Sequence, residues 1–323
     1  MPAEWEPHEA TWLAWPHEVS DWPGKFSPIP WVYGEVVRRL ARVEKVRILV
    51  QGDAAEKEAR YVLQSCGAPN GSVEFFHFAT DRSWCRDFCP IFVRNDDGGM
   101  VATNWIFNGW AKYGNYHHDN EIPALVAERL EIPRIDPGIV LEGGSIDVNG
   151  VGVLLTTEEC LLSGVQARNP HLGRQQLEGV FSTYLGAGET IWLKRGIEGD
   201  DTHGHVDDVA RFVNPDTIVL VRDEEERFEE NRAVLAGTRF EVVTLPMPEP
   251  VYFDGQRLPA SYGNFYIANE IVLAPTFNDP NDRSALGTLA ELFPGREVVG
   301  IHCLDLVLGL GTLHCMTQQQ PQR

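Results

Sequence analysis

The sequence predicts a mixed α/β fold in one domain spanning residues 1–323, built from a unit that repeats around an axis. Three observations predict it. The 323 residues are 43% hydrophobic and 23% charged, with proline and glycine spread throughout, so nothing marks a linker or a second domain. Segments with helical apolar spacing are followed, one after another, by short β-branched runs. From the second onward those runs begin at 73, 132, 190, 241 and 297. Steps of roughly 51 to 59 residues are the spacing of a repeated supersecondary unit.

The elements follow in chain order. The first helix is read over Tyr33–Val43, where Val36, Val37 and Leu40 recur on one face, and it feeds a strand at Val46–Val50. Ala54–Ser65 is the next helical pattern and Val73–Phe78 its strand. Glu121–Leu130 precedes Ile132–Ile135, and Arg174–Leu185 precedes Thr190–Leu193. Glu226–Leu235 overlaps the only dense charge run, Asp223–Glu230, which reads as a solvated helix face, and leads to Glu241–Thr244. Ser284–Phe293 and Glu297–Ile301 complete the series. Asp87, Glu142, His205 and Cys315 each fall some way beyond the start of a strand. Equivalent loops of successive units would bring them to the same end of the axis.

Charge and cysteine content narrow the function. A net charge of −20 excludes a nucleic-acid partner, which needs a basic surface, and suits a small cationic substrate. The opening Met-Pro-Ala-Glu-Trp-Glu-Pro-His has neither the basic start nor the apolar stretch of an export signal. The longest apolar runs, such as Val151–Leu155 and Ile218–Val221, are far too short to span a bilayer. Six scattered cysteines do not make a disulfide scaffold, so a cytoplasmic, reduced protein is expected.

Four segments carry chemistry. Gly309-Leu310-Gly311-Thr312-Leu313-His314-Cys315 sets a thiol on a glycine loop, which suits either a nucleophile or a buried core cysteine. Asp200-Asp201-Thr202-His203-Gly204-His205-Val206-Asp207-Asp208 combines histidines with carboxylates. No second cluster with metal-ligand spacing accompanies it, so no metal is expected and His205 is read as a general acid/base. Trp84-Cys85-Arg86-Asp87-Phe88-Cys89-Pro90 and Leu141-Glu142-Gly143-Gly144-Ser145-Ile146-Asp147 are weak signals singly and gain weight as members of the set.

That set resembles the agmatine deiminase family of guanidino-group-modifying enzymes, related to bacterial peptidylarginine deiminase. The likeness runs from the N-terminal motif and Trp-Leu-Ala-Trp-Pro at 12–16 to Cys-Met-Thr-Gln-Gln-Gln-Pro at 315–321. Between them lie Arg86-Asp87, Phe107-Asn108-Gly109-Trp110, Leu141–Asp147, Asp201–Asp207 and Ser261-Tyr262-Gly263-Asn264-Phe265. The resemblance implies a five-bladed α/β propeller with pseudo-fivefold symmetry, a homo-oligomer with a dimer favoured, and no metal or organic cofactor. It implies Cys315 as nucleophile, His205 as acid/base and Glu142 as the histidine's hydrogen-bonding support. Asp87 and Asp207 would grip the guanidinium, Trp84 would line the substrate site, and Asp201 would face the substrate's far end. The implied reaction is hydrolysis of agmatine to N-carbamoylputrescine and ammonia. Deimination of arginine or peptidylarginine, amidino transfer, and non-catalytic guanidine binding are the alternatives. Leu310, Thr312 and Cys89 depart from the family's glycine, asparagine and glycine in loops that shape the pocket.

Overall fold

A computed structural model describes residues 1–322. Its core is a ββαβ unit in which two antiparallel strands are followed by a helix that returns to a third strand, parallel to the second. Four three-stranded sheets follow this plan. They are Ile91–Arg94, Met100–Thr103 and Arg134–Ile135; Asp147–Val148, Val153–Thr157 and Glu189–Leu193; Ala210–Asn214, Thr217–Val221 and Glu241–Leu245; and Tyr266–Ile267, Ile271–Thr276 and Glu297–His302. Ile122–Leu130, Arg174–Leu185, Glu225–Ala236 and Asp282–Leu292 are the crossover helices. Parallel neighbours need such crossovers, whereas the antiparallel pair closes through a short turn.

Besides a two-stranded hairpin of Tyr252–Phe253 and Gln256–Arg257, the fifth large sheet joins the two ends of the chain. Gln318–Pro321 pairs antiparallel with His8–Ala14, which is followed by Lys45–Leu49 and Val73–Phe76 in parallel. Ile29–Leu40 and Asp53–Cys66 make its crossovers. The first helix begins earlier than the apolar spacing indicates because Pro30 is accommodated in its first turn, where no intrahelical N–H bond is lost.

All six expected helices form, and five of the six expected strands are the third strands of the repeats, while the run Val73–Phe78 gives the added fourth strand, Val73–Phe76, of the sheet that joins the chain ends. The first two strands of each repeat were not expected as strands, for a physical reason. Val153–Thr157 and Thr217–Val221 are buried at every position, so they show no alternation. Ile218–Val221 and the last three residues of Val151–Leu155 therefore lie in sheet centres, while Val151 is exposed ahead of its strand. Third strands such as Glu241–Leu245 keep exposed positions and a visible pattern.

The repeat positions the chemistry. Asp87 lies in a helical turn, Cys85–Phe88, just before the first strand of its sheet. Glu142 precedes the 3₁₀ turn Gly143–Ser145 and the strand at Asp147, and His205 and Asp207 lie at the turn Val206–Asp208 before the strand at Ala210. Asn264 precedes Tyr266–Ile267, and Cys315 precedes Gln318–Pro321. Each of the five repeats thus delivers a polar side chain from the segment entering its first strand.

Candidate active site

One cavity of about 380 Å³ is lined by Trp84, Asp87, Trp110, Tyr113, Asp201 and Cys315, with Asp21, Arg82, Gly309 and Leu310 among the rest of its wall. Cys315 is 6% exposed. Its Sγ accepts a bond from Asn264 Nδ2 at 3.1 Å, and Asp207 Oδ2 lies 3.7 Å from it. Burial, followed by Asp207, Asp208 and Asp87, holds the Cys315 thiol well above the usual thiol range. The main charges acting on it are carboxylates. The free site therefore keeps a protonated thiol.

The loop that carries it is shaped by close packing. A Cβ on Gly309 would come within 2.8 Å of the Trp84 ring and one on Gly311 within 2.9 Å, so these positions need glycine for approach. Leu310 between them adopts φ +68°, a left-handed conformation that disfavours a side chain by roughly 1–2 kcal/mol. Thr312 donates its hydroxyl to Asn264 Oδ1 at 2.7 Å, tying this loop to the asparagine at the thiol. Cys89 is buried beside Cys85 and lies outside the cavity wall.

Asp87 accepts from Trp110 Nε1 at 2.9 Å and from the Gly144 N–H at 3.0 Å. Burial is the main force that pushes its carboxyl up to about 6, opposed by His205 and reinforced by Asp207 and Glu142. Asp207 is fully buried, with one oxygen accepting from His314 Nδ1 at 2.6 Å and the other, Oδ1, without a hydrogen-bond partner. His205 Nδ1 stands 3.8 Å from Asp87 Oδ1 and 4.0 Å from Asp207 Oδ1, and neither ring nitrogen makes a hydrogen bond. Gly144 sits at the meeting point: a Cβ there would lie 2.6 Å from His205 Nδ1, 2.8 Å from Asp87 Oδ1 and 3.1 Å from Asp207 Oδ2.

One expectation needs correction, and a second residue is already partnered. The hydrogen bond from His205 to Glu142 is not made. Glu142 Oε1 instead accepts from Arg168 Nε at 2.9 Å in a fully buried pair, and Oε2 is unpartnered. The arginine's planar fork, also held by the Gln166 and Thr202 carbonyls, fixes the carboxylate first. Asp201 does line the cavity, yet both its oxygens are engaged, one by Lys112 Nζ and the other by the Tyr113 hydroxyl at 2.7 Å. Glu142, Cys160 and His205 offer donor atoms within 4.8 Å of one another, a set a metal ion could take, although their sequence spacing shows no ligand pattern.

Sequence reading assigned no role to Asn264, Trp110, His314 or Arg168. The first two lie in motifs that carried the resemblance, and His314 is the neighbour of the nucleophile candidate, so the signal was present without a chemical reason to use it. Arg168 had none.

Asp87 and Cys315 line the cavity, and Asp207 and His205 lie buried behind them, Asp207 against the thiol and His205 within 4.0 Å of both carboxylates. The arrangement can hold a planar cation and present its centre to sulfur. The family model for Porphyromonas-type peptidyl-arginine deiminase matches residues 1–321. An agmatine deiminase from Medicago truncatula is 36% identical, covering 99% of this chain and 96% of its own. The solved agmatine deiminase of Enterococcus faecalis superposes with a TM-score of 0.91 at 30% identity, covering 100% of this chain and 96% of that one. A cysteine-to-serine variant of C. jejuni agmatine deiminase with substrate bound gives 0.90 at 31% identity, with the same coverage. With the family model matched from end to end, the chain belongs to the Porphyromonas-type peptidyl-arginine deiminase family.

Proposed function

We propose that this protein hydrolyses agmatine to N-carbamoylputrescine and ammonia through an amidino-cysteine intermediate. The observation that carries the reading is the pair of buried carboxylates Asp87 and Asp207, both within 4.0 Å of His205 Nδ1, with Asp207 3.7 Å from the Cys315 thiol. The full-length relatives named agmatine deiminases support it. In this reading the five sheets are the blades of a pseudo-fivefold propeller in one domain, and the enzyme is a cytoplasmic homodimer.

A guanidinium bound between the two aspartates brings a cation to the thiol, so its arrival favours the thiolate, and the thiol proton passes to His205. Cys315 Sγ attacks the central carbon. As the C–N bond breaks, His205 gives its proton to the departing ammonia. The imidazole then takes a proton from water, whose oxygen adds to the amidino carbon. The C–S bond breaks as the added hydroxyl loses its remaining proton to solvent, giving the neutral ureido product, and the imidazolium returns its proton to Cys315 sulfur. Glu142, anchored by Arg168, places negative charge beside the imidazole during these proton transfers. The test is ammonia release from agmatine, free arginine, arginine peptides and n-butylguanidine. Agmatine should be the best substrate, and ammonia from none of them would overturn the reading.

Asp201 is the reading's contact for agmatine's terminal ammonium, which replaces Lys112 Nζ. Because Lys112 is 42% exposed, the exchange costs little. Asp201→Asn should lower kcat/KM on agmatine by about 2- to 5-fold and leave n-butylguanidine unchanged. Equal losses on both compounds would remove the selectivity role.

Gly144→Ala should lower kcat/KM by about 100-fold or more, since a displacement near 1 Å at reacting groups has that effect. The added methyl would press on His205, Asp87 and Asp207 together. Near-normal turnover in a folded Gly144→Ala protein would show that these three groups do not act from this arrangement.

A further inference from the structure

The N-terminal motif has no part in the chemistry above, yet one of its residues lies beneath the site. Glu4 is 4% exposed. Its Oε1 accepts from Arg211 Nη2 at 3.0 Å and from the Ile267 N–H at 2.8 Å. Its Oε2 accepts from Arg86 Nη2 at 3.1 Å and from His314 Nε2 at 2.8 Å. The other nitrogen of His314 reaches Asp207 Oδ2 at 2.6 Å. An imidazole between two carboxylate oxygens that both require a donor carries a proton on each nitrogen and is a cation. Asp207 is thereby left with one free oxygen, Oδ1, on the side where His205 lies 4.0 Å away.

We propose that Glu4, His314 and Asp207 form a relay in which Glu4 holds His314 as an imidazolium and His314 keeps Asp207 ionised and aimed at the guanidinium. The proposal rests on the reading of Asp207 as a guanidinium-binding group. His314 is a positioning residue that acts through Asp207 and does not touch substrate. The local charge balance agrees: Glu4, Asp147 and Asp207 face His314, Arg86 and Arg211 in a closed set of buried contacts. Burial alone would raise both carboxyls. Arg211, His314 and Arg86 overcome it at Glu4, and the His314 hydrogen bond is the main cause that lowers Asp207.

The relay makes a pH-dependent prediction. The groups facing Asp207 are His314, the Cys315 thiol, the His205 ring, the Asp87 and Asp208 carboxyls and the Arg211 guanidinium. In His314→Gln the strongest favourable partner is lost while the two aspartates remain, so Asp207 ionises only at higher pH. At pH 6, kcat/KM for agmatine should fall about 10- to 100-fold, the scale on which a buried hydrogen bond to a charged group is lost. The deficit should narrow as the pH rises to 9, because Asp207 then ionises without help. A deficit equal at every pH, or none, would overturn the relay.

Nitrogen NMR of the wild-type side chain keeps the test independent of whether the variant folds. His314 should show a proton on both ring nitrogens at neutral pH, and one bare nitrogen would overturn the proposal. Failure of the underlying reading looks different. There Asp207→Asn retains full activity, whereas failure of the relay alone leaves Asp207→Asn impaired and the His314→Gln pH profile unshifted.

Discussion

Cys315→Ala will remove turnover by about four to six orders of magnitude, the scale on which a covalent nucleophile is lost. Binding will survive, because Asp87 and Asp207 hold the guanidinium independently of sulfur. The alanine will also leave the fold intact. The Cys315 backbone keeps its place through Arg86 N–H donating to the Cys315 carbonyl at 3.1 Å and His314 N–H donating to Asn264 Oδ1 at 3.0 Å. Isothermal calorimetry with agmatine on the variant, beside ammonia release, measures both halves. Rapid acid quench of the wild type followed by peptide mass spectrometry should place the amidino adduct on Cys315 and on no other cysteine. Retained turnover in Cys315→Ala would end the covalent mechanism.

Asp87→Asn and Asp207→Asn will each lower kcat/KM by about 30- to 5000-fold, equivalent to the roughly 2–5 kcal/mol lost when one partner of a desolvated charge pair is removed. The two differ in their pH signature. Asp87 is pushed up to about 6 by burial among Asp207 and Glu142, so in the wild type its carboxyl becomes neutral as the pH drops through that value. A neutral acid has no charge with which to hold a guanidinium. The wild-type kcat/KM should therefore fall on the acid side of about pH 6, and Asp87→Asn should lose that dependence along with its activity. Asp207, lowered by His314, contributes no such limb in the wild type. Steady-state kinetics on agmatine from pH 5 to 9 tests both statements. Near-normal kcat/KM in both variants would rule out the carboxylate grip.

The main-chain plan was legible wherever one face of an element stays wet. All six helices and the third strand of each repeat carry exposed positions that make a period visible. The wholly buried central strands carry none, and the two-residue first strands, such as Asp147–Val148 and Tyr266–Ile267, are too short to show any. The repeat was readable as spacing. That each repeat presents its polar group from the segment just before its first strand could not be read, because those first strands were the invisible ones.

The same division holds at the site. Residue type alone points to a thiol, an acid/base histidine and paired carboxylates, because few other side chains can do that work on a guanidinium. Those identities were therefore determined by the sequence, through its motifs and their order. Partnerships were decided by tertiary structure. Arg168 rather than His205 takes Glu142, Lys112 and Tyr113 occupy Asp201, and Asn264 reaches across to the thiol. Glu4 and His314 are 310 positions apart and meet at 2.8 Å. They meet because the last strand pairs with the first, bringing both chain ends under the cavity. Contacts at such separation are set by strand pairing and by competition among donors for each buried oxygen, and neither leaves a local trace in the chain.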